Sequence, residues 1–226
     1  MVAVGGNLST PTLLAAYRRG IFPWYSESEP IMWWCLDPRF VIFPSRLHVS
    51  RSLRRRIRRG EFQLTVDADF ETVIRNCGRV SRGRGEGTWI TPEMEAAYIE
   101  LHREGYAHSA EAWKNGALAG GTYGVALGGC YYGESMFFHE TDASKVAFTA
   151  LVGILVDSGF GLVDCQEHTA HLETFGAVDM SRKNFLKALA GELKKPTLRG
   201  SWRTLFPNFP QSALWAAIHA AEQPRR

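Results

Sequence analysis

The sequence predicts an α+β fold in which helices cover an antiparallel or mixed sheet, and two observations carry that prediction. Three strand-like segments, Ala107 to Trp113, Ala117 to Leu127 and Cys130 to Phe138, are separated by Asn115-Gly116 and Gly128-Gly129, dipeptides that suit tight hairpins. A long apolar-periodic run follows, Lys145 to Asp157, preceded by Asp142 and Ser144 and stopped at Gly159. After it come a short buried strand, Gly161 to Cys165, and a helix from about Ser181 to Leu189. Meander, helix, strand and helix is the order that this layer architecture produces.

The remaining elements follow in chain order. Asn7 to Arg18 reads as a short helix, with Ser9 or Thr10 placed to cap it, Pro11 in its first turn and Gly20 as its stop. From Ile21 to Arg39 turn formers and aromatics alternate (Pro23, Trp24, Tyr25, Pro30, Trp33, Trp34, Pro38), which excludes a long regular element. Residues 1–38 are therefore expected to form a small N-terminal domain, shorter than usual for the resemblance described below, lying against a main domain of residues 39–226. Ser50 to Gly60 reads as a helix capped by Ser50 and ended by Gly60. Its projection puts Arg51, Arg54, Arg55, Arg58 and Arg59 on one side, and Val49, Leu53 and Ile57 on the other. Such a stripe of guanidinium groups repels itself unless an anion meets it. Thr91-Pro92-Glu93 opens a further helix in which Met94, Ala97, Tyr98 and Leu101 recur at helical spacing, closed by Gly105. Beyond Gly191 the tail carries Pro and Arg, with a short helix expected from Ser212 to Ala221.

Composition narrows the class. The 226 residues, 45% hydrophobic and 22% charged, suit an ordinary globular protein, and a net charge of +3 names no partner by itself. There is no apolar run of 18 residues, and Met1 to Gly6 lack a secretion signal, so a cytoplasmic protein without a membrane partner is expected. Cys35, Cys77, Cys130 and Cys165 have no metal spacing, and His168 and His171 have no neighbouring ligand to complete a set. Neither a metal nor an organic cofactor is expected. Gly83-Arg84-Gly85-Glu86-Gly87 fits no phosphate-loop spacing and reads as a connector. The 12% of aromatic residues, seven of them Trp, serve either a well-filled core or flat surfaces for stacking.

Two constellations carry polar chemistry. Asp164 and Gln166 leave the same face of an extended strand; they are either a polar strand end or a carboxylate and amide that hold a nucleophilic amine. Glu134, Met136 and Phe138 share a face in the same way, which sets a carboxylate beside apolar surface with Lys145 or an arginine as its partner. Cys165 beside Asp164 is a poor nucleophile, because the neighbouring charge raises its pKa.

Seven segments resemble the leucyl/phenylalanyl-tRNA–protein transferase family in order: Gly20 to Tyr25, Trp33-Trp34 with Asp37-Pro38-Arg39, Gly87 to Thr91, Gly133 to Phe137, Ala143 to Lys145, Asp164-Cys165-Gln166, and Phe175 to Ala177. The resemblance implies a small N-terminal domain and a domain similar to GCN5-type N-acetyltransferases. It implies transfer of Leu or Phe, and Met less well, from charged tRNA to proteins that begin with Arg or Lys, marking them for degradation. By position, Trp24 and Trp89 would flank the terminal adenosine, with Tyr98 nearby. Met136 and Val163, with Thr122 and Phe138, would line the amino-acid pocket; Glu134, Asp164 and Gln166 would sit at the reacting centre. On these residues the expected mechanism has Asp164, directly or through Gln166, draw the proton from the acceptor amine, while Glu134 helps bind its cationic side chain or amine. Arg51, Arg54, Arg55, Arg58 and Arg59 would meet tRNA phosphates. Thr122, Phe138 and Cys35-Leu36 depart from the family pattern. Two rival readings are a non-catalytic RNA-binding module and an acyl-coenzyme A N-acetyltransferase, the latter lacking a pyrophosphate loop before a helix.

Overall fold

The computed structural model describes residues 1–83 and 89–209. At the N-terminus, β1 (Ala3–Val4), α1 (Thr10–Tyr17), β2 (Phe22–Pro23) and β3 (Met32–Trp34) form a unit whose small antiparallel sheet has the order β1-β3-β2. The segment rich in turn formers thus holds only strands of two and three residues, because Pro and interrupted apolar runs leave little backbone to pair.

The main part continues with β4 (Arg39–Ile42), α2 (Arg51–Arg58), β5 (Gln63–Val66), α3 (Phe70–Gly83), α4 (Pro92–Arg103), β6 (Ala107–Lys114), β7 (Ala117–Leu127) and β8 (Cys130–Phe138). It is completed by α5 (Ala143–Asp157), β9 (Leu162–Gln166), α6 (Ala170–Glu173), β10 (Val178–Met180), α7 (Arg182–Glu192) and α8 (Trp202–Leu205). Among the described residues these strands make a seven-stranded sheet of order β10-β4-β9-β8-β7-β6-β5, antiparallel except where β8 meets β9. The α+β class expected from the sequence holds. The helix expected from Ser212 to Ala221 and most of the Gly83 to Gly87 connector lie outside the described residues; Gly83 itself ends α3.

Local chemistry accounts for the helix ends. Ser50, Thr91 and Ser181 each accept a backbone N–H from three residues on, at Leu53, Met94 and Asn184. At the β6-β7 turn, Asn115 and Gly116 both have positive φ, 53° and 78°, as a tight hairpin requires.

The sheet separates two cores. On one face α5, apolar nearly all round, buries Phe148, Leu151 and Leu155 against Ala110, Ala126, Tyr131 and Val163. On the other, Val73 and Ile74 of α3 and Met94 and Tyr98 of α4 pack with Tyr123, Val125 and Tyr132. The N-terminal unit joins this second core through Leu13, Tyr17, Phe22 and Trp33, and the Tyr132 hydroxyl donates to the Tyr17 carbonyl at 2.8 Å. A residue on α1 is thereby set rigidly against the centre of the main sheet.

Candidate active site

Between β8 and β9 the sheet comes apart. The two strands pair at Cys130 with Leu162, Tyr131 with Val163 and Tyr132 with Asp164, and no further. Beyond that point β8 stays with β7 as far as Phe138, and β9 stays with β4 as far as Gln166. The gap is a cleft of about 730 Å³ through the middle of the sheet. Trp24 and Trp89 stand on its wall together with Glu134 and Gln166, and Met136, Phe148, Val163 and Leu172 give it an apolar stretch.

A β-bulge aims Glu134. Gly124 pairs with Gly133 and Tyr123 with Ser135, so Glu134 is the extra residue that faces no partner on β7. A side chain at Gly124 would meet the Tyr132 carbonyl at 2.1 Å, which explains the absence of one there. The bulge also corrects the expectation that Glu134, Met136 and Phe138 share one face. Glu134 turns to Tyr17 and Tyr98 in the second core, whereas Met136 packs on the first.

Three donors hold the Glu134 carboxyl: the Tyr17 hydroxyl at 2.7 Å, the Tyr98 hydroxyl at 3.3 Å and the Gln166 side-chain amide at 3.1 Å. The two tyrosine hydroxyls also lie within hydrogen-bonding reach of each other, so the single Tyr98 proton is shared between Glu134 and the Tyr17 oxygen. Burial pushes the Glu134 carboxyl from its ordinary value of 4.5 up to about 7; the Tyr17 hydrogen bond works against that rise and the Asp164 charge adds to it. Burial first, then the Glu134 charge, raises both tyrosine hydroxyls well above their ordinary value, so they remain neutral donors. Lys145, one of the partners expected for Glu134, instead pairs with Asp142 at 2.9 Å.

Asp164 is fully enclosed. The Arg39 guanidinium donates to both its oxygens, Nε to Oδ1 at 2.7 Å and Nη2 to Oδ2 at 2.6 Å, and neither side chain is exposed. Phe22 and Phe185 hold the guanidinium, each ring centroid 4.7 Å from its central carbon. Asp164 Oδ1 also accepts the backbone N–H of Gln166 at 3.0 Å, and at Gln166 the chain turns left-handed, φ 55°. A non-glycine residue in that conformation is uncommon and needs such anchoring. The expectation of a continuously extended strand is thus corrected at Gln166. So is that of Asp164 taking a proton directly: it has no face on the cleft and both oxygens are occupied. The role of Arg39 is invisible in the sequence because its partner lies 125 residues away; the same holds for Tyr17, 117 residues from Glu134.

The other expected residues are distributed as follows. Trp24, Trp89, Thr122, Met136, Phe138 and Val163 all line the cleft. Thr122 donates its hydroxyl to the Ser135 carbonyl at 3.0 Å and so presents its methyl group as the apolar part. Tyr98 does not reach the cleft; it is completely buried and acts on it only through Glu134. Arg51, Arg55, Arg58 and Arg59 are exposed, while Arg54 donates to the Val49 carbonyl at 2.9 Å and Arg59 lies 3.6 Å from Glu61. The Cys165 thiol lies under the cleft, and burial followed by the Asp164 charge raises its pKa, as expected for an unreactive thiol. Among the described residues no group of three metal-ligating side chains occurs, and no helix is long and apolar enough to cross a membrane.

Residues 41–190 match the family described as leucyl/phenylalanyl-tRNA protein transferase, and residues 6–37 match its N-terminal domain. A relative of that name from Magnetococcus marinus is 54% identical over 92% of this chain and 89% of its own length. One from Syntrophobacter fumaroxidans is 54% identical over 89% of this chain and 86% of its own length. Among solved structures, an aminoglycoside acetyltransferase from a soil metagenomic sample overlays distantly, with 14% identity and a TM-score of 0.39 over 57% of this chain and 87% of that one. With both of the family's parts matched and half of the aligned residues identical to its members, this chain belongs to the leucyl/phenylalanyl-tRNA–protein transferases.

Proposed function

We propose that the enzyme takes Leu or Phe, and Met less readily, to the α-amine of proteins beginning with Arg or Lys, marking them for degradation. The observation that carries this reading is the Gln166 amide, held by Glu134 on one side and anchored through Asp164 and Arg39 on the other. It stands in a cleft that also holds two tryptophans and an apolar stretch. Trp24 and Trp89 suit the flat faces of a terminal adenosine, since single-stranded RNA ends are gripped by stacking. Met136, Val163 and the methyl of Thr122, with Phe138 at the rim, suit a Leu or Phe side chain.

An aminoacyl ester is already activated, so the enzyme has chiefly to orient the amine and tolerate the oxyanion. Because the Gln166 nitrogen donates to Glu134, its carbonyl oxygen is the end left to accept a hydrogen bond from the incoming amine. The amine nitrogen bonds the ester carbonyl carbon, the ribose oxygen departs, and the proton lost by the amine ends on that oxygen. In this reading Asp164 positions Gln166 and does not accept the proton. Glu134 fixes and polarises the amide, in place of the expected role of binding the acceptor's cationic side chain or amine.

The test is transfer of labelled Leu or Phe from charged tRNA to peptides that differ only in beginning with Lys, Arg or Glu. Transfer to the Lys and Arg peptides alone, abolished by ribonuclease, is the expected result. Transfer that ignores the first residue would overturn the acceptor rule, and RNA binding without transfer would favour the non-catalytic reading.

The exposed arginines of α2 supply the phosphate contacts in this reading. Replacing Arg51, Arg55 and Arg58 together by Ala is expected to weaken binding of charged tRNA and to lower the slope of log affinity against log salt by about 3, one for each phosphate left without its arginine. An unchanged slope would remove α2 from the RNA interface.

A further inference from the structure

We infer that Glu167 is the residue that recognises the cationic side chain of the acceptor's first residue. The inference rests on the transfer to Arg- and Lys-initiated proteins proposed above. A cation entering the cleft needs a carboxylate that is accessible and whose charge is not already committed. Asp164 fails on both counts: it is completely buried, and Arg39 and the Gln166 backbone occupy its oxygens. Glu134 lies in the wall but already holds the Tyr17 and Tyr98 hydroxyls and the Gln166 amide.

Among the described residues that line the cleft, the only other carboxylate is Glu167. It is exposed, and its side chain has no hydrogen-bond or ion-pair partner among those residues. Its position follows from the backbone. In a continuing strand Glu167 would point away from the face that carries Gln166. The left-handed turn at Gln166 ends β9, the Glu167 N–H closes back on the Cys165 carbonyl at 2.7 Å, and both side chains stay on the cleft wall. Consecutive Cα atoms are about 3.8 Å apart, so an acceptor whose α-amine sits on the Gln166 amide has its side chain within reach of the next residue's carboxylate. The nearby cations do not compete. Lys145 is tied to Asp142, His168 lies 3.8 Å from both Glu173 and Asp179, and burial lowers the pKa of His171 on the cleft wall, which favours its neutral form. An acceptor beginning with Glu would meet like charge at the same place, so one residue favours the right acceptors and disfavours the wrong ones.

The test is steady-state transfer from saturating charged tRNA to Lys-, Arg- and Glu-initiated peptides by Glu167→Gln and Glu167→Lys at low salt. For Glu167→Gln, the KM for Lys and Arg peptides is expected to rise about fivefold, the upper end for an ion pair at a solvent-accessible site, with kcat and the KM for charged tRNA unchanged. Glu167→Lys is expected to lose Lys and Arg peptides and to gain measurable transfer to the Glu peptide. An unchanged KM for Lys and Arg peptides in Glu167→Gln would overturn the inference while leaving the proposed reaction intact. Failure of the wild-type enzyme to prefer Lys and Arg peptides would overturn the acceptor rule first, and this inference with it.

Discussion

Arg39→Met is expected to lower the unfolding free energy by about 3–5 kcal/mol, read by urea unfolding, and to abolish transfer to a Lys-initiated peptide. The change leaves the Asp164 carboxylate buried with no counter-charge. It also removes the cation between the Phe22 and Phe185 rings, where β2, β9 and α7 meet. The pair itself is not a strong source of stability, because its charges are desolvated and the third guanidinium nitrogen, Nη1, is buried without a hydrogen-bond partner among the described residues. Replacing both members, Arg39→Met with Asp164→Leu, is therefore expected to recover most of the stability, as apolar replacements of buried pairs often do. Activity should stay low in the double variant, since the Gln166 N–H loses the acceptor that holds its left-handed turn. Full activity in a folded double variant would show that the pair serves only the fold.

Glu134→Gln is expected to lower kcat by about 10²-fold, the size of effect that follows from misplacing a reacting group by an ångström. The pH dependence separates this role from a merely structural one. Burial holds the Glu134 carboxyl near 7, and its ionised form is the stronger acceptor for the Gln166 amide and polarises it more, so wild-type activity should rise with pH through an inflection near 7. The acceptor amine adds its own inflection near pH 8, as expected for an α-amine. In Glu134→Gln the lower inflection should vanish and the upper one remain; persistence of both would assign the lower to another group. Stability carries the opposite sign. The folded carboxyl retains its proton up to about 7 while the unfolded one loses it near 4.5, so its contribution is present below about 4.5 and is lost as pH rises to about 7. Thermal unfolding at pH 5 and pH 8 should show that loss in the wild type and a smaller one in Glu134→Gln.

Features governed by neighbours along the chain are legible in the sequence. The hairpin at Asn115-Gly116, the caps at Ser50, Thr91 and Ser181, and the buried run of α5 each depend on φ preference, a side chain three residues away or local periodicity. Strand β5 and helix α3, absent from the expected elements, carry weaker versions of the same signals: Leu64 and Val66 at spacing two, and Phe70, Val73, Ile74 and Cys77 at helical spacing. The short segments α6 and β10 carry too few residues for any period to appear.

Of the site, its residue types and motif order were determined by the sequence, and the cleft positions of Trp24, Trp89, Met136 and Val163 follow that order. Which carboxylate is free, which is paired and which is held near neutrality was decided only by the tertiary structure. The bulge that aims Glu134 is a matter of register between β8 and β7, and a one-residue change in register moves side chains to the opposite face. Arg39 reaches Asp164 from 125 residues away, and of the three donors to Glu134 the shortest bond, from Tyr17, comes from 117. Charge and hydrogen-bond supply at a buried group are set by whatever the fold packs around it, a property that no local stretch of sequence carries.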